Sequence, residues 1–304
     1  MNIIKPKKLQ IGDTIGLLSV CGAISDVAAL ENSKKYFESM GYKVVVSSSS
    51  YNVDRYFAGT DKERADDFNS FFADTNIDAI LCTRGGYGAI RILDNIDYDQ
   101  VKNNPKIFAG YSDVTAFLTM IYKKTGLITF HSPMAMSDFA KKEVDEYTQN
   151  SFLKTLKGEA TSVNAGINKM TFVNGLAKGI LFGGNLSTLA SLAGRDFLPE
   201  EKIILFLEDL NEPVYKIDKM FHQLLAVKHF ANNIAGIVLG DFLSIDSPEY
   251  LEDLFFEISN KLNVPCCGGF NISHGAKKDT IPVGIKCEFN STDGNIKFIE
   301  TVVS

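Results

Sequence analysis

The sequence predicts an α/β protein whose first half forms a parallel sheet covered by helices on both faces, followed by a second unit that also contains strands. Three observations carry this reading. Short apolar runs of strand length alternate with longer segments at helical spacing, as a β-α-β path requires. Glycine-rich turns follow several of the runs, as at 85–88 and 183–184. The composition, 45% hydrophobic and 22% charged over 304 residues, is that of an ordinary globular protein and argues against long disordered or fibrous regions.

Residues 14–20 read as the first strand, 27–40 as a helix stopped by Gly41, and 42–46 as the second strand. After a serine run at 47–50, Gly59-Thr60-Asp61 opens a helix in which Ala65, Phe68, Phe71 and Phe72 recur at helical spacing. A third strand at 77–82 leads into Arg84-Gly85-Gly86-Tyr87-Gly88, then a helix near 89–93, a fourth strand at 107–109 and a helix after Ser112. A strand at 127–130 and a helix at 144–156 close this unit, expected to span 1–156. Its continuation, 157–175, begins with polar residues of little periodicity and reads as a linker.

The second unit, 176–304, opens with a strand at 176–182, Gly183-Gly184-Asn185 and a helix at 186–192. A strongly apolar strand at 202–207 ends in Glu208-Asp209, and Pro213 suits the first turn of a helix running to about 227. A strand at 234–239, a helix at 250–262, and strands at 280–289 and 296–303 around an Asp293-Gly294 turn complete the chain.

A net charge of −6 argues against nucleic acid or an anionic membrane surface as the main partner, and no apolar run approaches the length of a bilayer span. The five cysteines, an odd number without a C-x-x-C pair, fit a reducing cytoplasm. Lys5, Lys7 and Lys8 ahead of Leu18-Ser19-Val20-Cys21 resemble an export signal. Gly12-Asp13 interrupts that approach, Val20 is larger than the residue such a site needs, and 15–21 reads equally well as a buried strand. A cytoplasmic protein is expected.

In open parallel sheets ligands bind beyond the carboxyl ends of the strands, so the loops after Cys82 and Ala109 share one edge. Gly110-Tyr111-Ser112-Asp113 has the layout of a strand feeding a helix through a tight turn, which lifts Ser112 clear of the sheet. Ser112 is there either as a nucleophile or, with Asp113, as an ordinary helix cap. Of four histidines, His222 and His229 lie seven apart on an apolar-rich helix and read as structural. His131 either lines the pocket or is buried structurally, whereas His274 sits in a turn-rich loop that suits a proton carrier.

Glu208, at the end of an apolar run where a lone carboxylate is costly to bury, is the candidate acid, with Asp209 as the alternative. Both also fit a strand end in solvent. The 84–88 loop can cradle phosphate, supply N–H donors to an oxyanion, or simply form a tight turn. It lacks both the Walker and the dinucleotide spacing, which weakens the phosphate reading. Cys82 fits a small apolar strand end better than a nucleophile. No carboxylate and histidine set has the spacing of a metal site, and neither a metal nor a cofactor is required.

The stretches Thr83-Arg84-Gly85-Gly86-Tyr87-Gly88, Gly110-Tyr111-Ser112-Asp113-Val114-Thr115, Thr129-Phe130-His131-Ser132-Pro133-Met134, Gly183-Gly184-Asn185-Leu186-Ser187 and Leu205-Phe206-Leu207-Glu208-Asp209 occur in this order. Together they resemble the LD-carboxypeptidases, serine peptidases that include muramoyl-tetrapeptide carboxypeptidases and microcin C self-immunity proteins. The resemblance implies an N-terminal α/β sandwich with a mostly parallel sheet, a smaller C-terminal α/β domain containing strands, a site between them, and a homodimer. It also implies Ser112 as nucleophile, Glu208 as the acid that orients the base, and His274 as that base. One departure is Ser273, which stands where the family has glycine directly before the histidine.

The implied reaction cleaves the bond between an L-centre and a D-amino acid, releasing terminal D-alanine from a murein tetrapeptide during cytoplasmic recycling. Two rivals stand beside it: hydrolysis of a peptidyl-nucleotide of the microcin C type by the same residues, and a non-catalytic ligand-binding protein. For acyl transfer at Ser112, the backbone N–H groups of Gly86 and Asp113 are the expected oxyanion donors. Arg84, the nearest arginine in sequence, is the expected partner of a terminal carboxylate.

Overall fold

Fourteen strands are formed in the computed structural model, which describes residues 2–272 and 274–304. They are β1 (Thr14–Leu18), β2 (Lys43–Val46), β3 (Ala79–Cys82), β4 (Ile107–Gly110), β5 (Thr129–His131), β6 (Ser162–Asn164) and β7 (Met170–Val173). There follow β8 (Leu176–Asn185), β9 (Ile203–Leu210), β10 (Ile234–Leu243), β11 (Cys266–Gly268), β12 (Ile281–Val283), β13 (Lys286–Asn290) and β14 (Asn295–Phe298). Ser273, the departure noted above, lies outside the described residues.

Two sheets result. The first has the order β12-β5-β4-β3-β1-β2, with β1 to β5 parallel and β12 antiparallel at one edge. The second has the order β6-β14-β13-β8-β9-β10-β11-β7, with a parallel centre from β8 to β11 and antiparallel strands outside it. The α/β class and the parallel sheet expected from alternation are both present. Every residue of β3 and β4 is buried, which explains why those strands read as unbroken apolar runs.

Most helices form where the sequence placed them, and their ends have local causes, while the short helices Tyr98–Asn103 and Phe230–Asn233 and the π-helical turn Ala135–Phe139 were not expected. Thr60 and Glu63 make a reciprocal capping box at the start of Asp61–Ala73. Helix Glu146–Leu156 begins later than the expected 144 because the Asp145 carboxylate accepts the Thr148 N–H at 2.8 Å. Helix Thr115–Thr125 is buried along almost its whole length. It is wedged between the two sheets, with Thr115 against Gly184 and Tyr122 against Gly284. No helix among the described residues is long and apolar enough to cross a membrane.

Several strands differ from the sequence reading: the last ends at Phe298 and not at 303, β8 continues through Gly183 and Gly184 to Asn185, and β11 was not expected. Residues 280–289 form two strands, not one: β12 joins the first sheet beside β5, and β13 joins the second beside β8. Gly284 turns the chain between them at φ +100°, and a Cβ there would collide with the Tyr122 ring. The stretch expected as a linker holds β6 and β7, which are the two edge strands of the second sheet. β6 and β7 are short and polar or half-exposed, so neither carries a strong period-2 pattern.

Candidate active site

The Ser112 turn is built by backbone geometry. β4 ends at Gly110, whose carbonyl accepts the Ser132 N–H at 3.1 Å, and Ser112 then takes φ +63° before a short 3₁₀ turn enters helix Thr115–Thr125. A non-glycine residue in this left-handed region is strained, and such strain clusters at functional turns. Gly85 presses against it: a Cβ on Gly85 would lie 2.8 Å from Ser112 Cβ and 3.0 Å from Oγ. The Asp113 backbone nitrogen lies 3.4 Å from the same point.

The glycine loop is fixed from its far side. Gly22 donates its N–H to the Gly85 carbonyl at 3.1 Å, and Arg84 Nη1 donates to the Ala23 carbonyl at 2.8 Å. Gly86 and Gly88 have φ of +110° and +130°. The Gly88 carbonyl accepts from Arg64 Nη1 at 3.0 Å, and this fully buried guanidinium also binds the Val20 carbonyl at 2.7 Å and Asp61. Arg64 was not apparent in the sequence, where it sits in a charged run that suggests a solvated helix face.

Asp113 accepts the Ala89 N–H at 2.9 Å and so secures the short helix that follows the glycine loop. Among the described residues, no side-chain cap closes helix Thr115–Thr125, so the capping reading of Ser112 and Asp113 is corrected: Asp113 serves a neighbouring helix, not its own. Burial pushes its carboxyl above the usual range, opposed by the Ala89 N–H and the Cys21 thiol. Burial likewise raises the Cys82 thiol, which fits its reading as a strand-end residue.

The candidate acid and base arrive from the second half of the chain. β8 and β9 pair in register so that Asn185 lies beside Glu208. Glu208 is fully buried, and its Oε2 lies 2.7 Å from Nδ1 of His274, whose side chain is 15% exposed. With the carboxylate ionised, Nδ1–H donates and Nε2 is left as the basic atom of the ring. Burial pushes the Glu208 carboxyl up, opposed by the hydrogen bond from His274. Tyr111, the residue before Ser112, stands edge-on to the His274 ring with centroids 4.8 Å apart. Among the described residues, no hydrogen bond yet joins Ser112 to His274.

Asp209, the alternative acid, is committed elsewhere: it accepts the Asn185 side-chain amide at 2.9 Å and the N–H groups of Ser187 and Leu210, both at 2.8 Å. Asn185 also donates its backbone N–H to Thr115 Oγ1 at 3.1 Å, while a Cβ on Gly184 would lie 2.6 Å from Thr115. Gly183-Gly184-Asn185, the end of β8 and not the turn that its glycines suggest, therefore packs the second sheet against helix Thr115–Thr125. The His274 loop is held by Lys278, buried and bonded to Asp138 at 2.6 Å and to the Gly275 carbonyl at 2.8 Å. His222 and His229 lie apart from this cluster; His222 pairs with Asp218 at 2.7 Å on helix Val214–Leu225.

A strained serine turn and a glycine loop from the first sheet, with a buried carboxylate–imidazole pair from the second, are parts that a nucleophilic hydrolase requires. The chain belongs to the LD-carboxypeptidase family: the model of its N-terminal domain matches residues 15–132 and that of its C-terminal domain residues 178–289. Similar proteins include the probable murein peptide carboxypeptidase of Bacillus subtilis strain 168, 33% identical, covering 95% of this chain and 92% of that protein. The microcin C7 self-immunity protein MccF of Escherichia coli is 31% identical, covering 97% of this chain and 96% of that protein. A solved structure of MccF in complex with glutamyl sulfamoyl guanosine superposes with a TM-score of 0.89 at 28% identity, covering 99% of each chain.

Proposed function

We propose that this chain is a serine LD-carboxypeptidase that releases terminal D-alanine from a murein tetrapeptide, with Ser112 as nucleophile, His274 as base and Glu208 as the acid that orients it. The observation that carries the reading is the 2.7 Å contact of His274 Nδ1 with buried Glu208, next to the strained Ser112 turn. Ser112 Oγ attacks the carbonyl carbon while His274 Nε2 takes its proton. The Gly86 and Asp113 N–H groups receive the developing oxyanion, and loss of one such donor typically costs about 100- to 1,000-fold in turnover.

The C–N bond then breaks as His274 returns the proton to the departing amine of D-alanine. Water, deprotonated by the same imidazole, cleaves the Ser112 ester and restores the hydroxyl. Arg84 is proposed to pair with the substrate's terminal carboxylate. The reading includes a cytoplasmic homodimer; five buried, unpaired cysteines suit a reducing compartment.

Hydrolysis of a peptidyl-nucleotide is the second reading, supported by the similarity to MccF along the whole chain. The alignment with MccF runs over 331 positions against 304 residues here, so MccF carries segments that this chain lacks. That favours the carboxypeptidase. The experiment is a side-by-side assay of D-alanine release from murein tetrapeptide and of cleavage of an aminoacyl sulfamoyl adenosine, with a serine-directed probe on the same samples. Labelling of Ser112 and release of D-alanine are expected. Hydrolysis retained by Ser112→Ala would overturn the nucleophile, and absence of both labelling and turnover would leave the chain a binding protein.

A further inference from the structure

The two carboxylate oxygens of Glu208 are served unequally. Oε2 meets His274 Nδ1 at 2.7 Å, whereas Oε1 is buried without a hydrogen-bond partner. Asn185 lies beside it in register; its amide gives one N–H to Asp209 at 2.9 Å and helps hold the Glu208 carboxyl down, yet Oε1 keeps no hydrogen-bond partner of its own. Facing Oε1 at 3.9 Å is Nε2 of His131, a ring only 2% exposed whose nitrogens both lack partners. A buried acceptor and a buried donor, both unmatched and facing each other, lower the free energy of the fold by meeting. The gap is about 1 Å longer than an ordinary N–H···O bond.

The backbone sets His131 in this place. Its register position in β5 lies between Gly110 of β4 and Ile281 of β12. The Tyr111 and Phe206 rings pack edge-on against the imidazole, with centroids 5.9 and 5.5 Å away, so it has no path to solvent.

We propose that His131 is a positioning residue for the reaction: it donates Nε2–H to Glu208 Oε1, so that the carboxylate is held between two imidazoles and keeps Oε2 aimed at His274. The inference rests on the acid and base assigned above. One donor leaves a carboxylate free to swing about its last bond, and two fix its plane. The second donor also favours the ionised form of a carboxylate that burial would otherwise push toward the neutral acid. The neighbour decides the tautomer. With the proton on Nδ1 instead, the Nε2 lone pair would face the carboxylate and repel it.

The groups facing this pair are His274 and Lys278 from the base loop, Tyr111 from the serine turn, and Asp209 at the end of β9. Burial, together with His274 and Lys278, holds the His131 pKa down at about 3. The ring is therefore a neutral donor throughout the working range.

The test compares His131→Phe, which keeps volume but not the donor, with His131→Gln, whose side-chain nitrogen reaches the position of Nε2. Release of D-alanine by the Phe variant is expected to fall about 10- to 100-fold in kcat, the worth of one hydrogen bond to a charged group, with KM little changed. The acidic limb of its kcat/KM profile should move to higher pH, because Glu208 then takes a proton more readily. The Gln variant should recover most of both. Equal losses in the two variants, or a loss without movement of the acidic limb, overturn the proposal.

Nitrogen NMR of the unmodified, histidine-labelled protein supplies a readout that needs neither turnover nor a folded Phe variant. His131 is expected as the Nε2–H tautomer, perturbed by Glu208→Gln; an Nδ1–H tautomer overturns the proposal. Should Ser112→Ala retain hydrolysis, the nucleophile assignment fails while the tautomer result stands by itself.

Discussion

Two strand ends meet at the site, built on a similar plan and held by different means. At each, a residue proposed for chemistry is followed by an aspartate whose carboxylate is bonded to backbone N–H groups. Asp113 follows Ser112 and accepts the Ala89 N–H just past the 85–88 glycines. Asp209 follows Glu208 and accepts the Ser187 N–H just past Gly183 and Gly184. The serine end is shaped locally, by a left-handed Ser112 with Gly85 pressed against it. The acid end keeps regular strand register and takes its partner from a loop 66 residues away. Local geometry thus shapes the Ser112 turn, the proposed nucleophile, whereas tertiary convergence brings together Glu208 and His274, the proposed acid and base.

The adjacent carboxylates break or sustain this comparison most sharply. Glu208→Gln should lower kcat on the order of 10³- to 10⁴-fold, because an amide opposite Nδ1 favours the wrong tautomer. Its thermal midpoint should stay near that of the unmodified protein. Asp209→Asn should do the reverse, losing about 1–3 kcal/mol of stability as buried N–H donors lose their acceptor, with kcat kept within about tenfold. Steady-state kinetics and chemical denaturation on the same samples separate the two outcomes. Equal kinetic losses at 208 and 209 would erase the division of labour.

The base loop brings a pH dependence of its own. Asp279 ties this loop to helix Glu146–Leu156, accepting from the Tyr147 hydroxyl at 2.9 Å and the Ser151 hydroxyl at 3.2 Å, and burial raises its pKa from 3.8 to about 6. Because the folded value is the higher one, the native state holds the proton longer than the unfolded chain. The stability this contributes is present below pH 3.8 and is lost as pH rises through 6. A shift of this size corresponds to about 3 kcal/mol. The unfolding free energy of the unmodified protein minus that of Asp279→Asn should therefore fall by about that amount from acid to neutral pH. A difference that stays constant across this range would show that Asp279 does not titrate there.

On the serine side, Gly85→Ala tests whether close approach positions Ser112, the proposed nucleophile. The added methyl would lie 2.8 Å from Ser112 Cβ, so either the loop or the serine must move. Overpacking of this kind costs about 1–3 kcal/mol, and displacement of Ser112 should lower kcat about 10- to 100-fold. An alanine variant with unchanged kcat would mean that the turn sets the Ser112 position without the glycine loop.

This division also explains what the sequence could disclose. The Gly110–Ser112 turn, the glycine loop and the apolar run ending at Glu208 are contiguous in the chain, so their patterns survive in the linear text. Candidate residues could be named from them. The pairing of His274 with Glu208, rather than with Asp209, depends on β8–β9 register and on the Lys278–Asp138 pair, which no local spacing encodes. Arg64 stands in a charged stretch of helix with nothing local to single it out, yet it is buried and donates to the Val20 and Gly88 carbonyls. The entry of β12 into the first sheet was hidden because residues 280–289 read as a single run that changes sheets at Gly284.

Arg84 should give the smallest effect and sharpen the comparison from the substrate side. Its Nη1 already donates to the Ala23 carbonyl at 2.8 Å, so it braces the segment against which the glycine loop rests. If it also pairs with the substrate's terminal carboxylate, Arg84→Ala removes binding that is equal in the ground and transition states. KM for the tetrapeptide should then rise about tenfold with kcat unchanged. Arg84→Lys should recover only part of that loss, since an ammonium keeps the charge but not the two-pronged geometry. A fall in kcat at unchanged KM would instead assign Arg84 to the support of the Ser112 turn alone, making it a part of the locally prepared half with no contact to substrate.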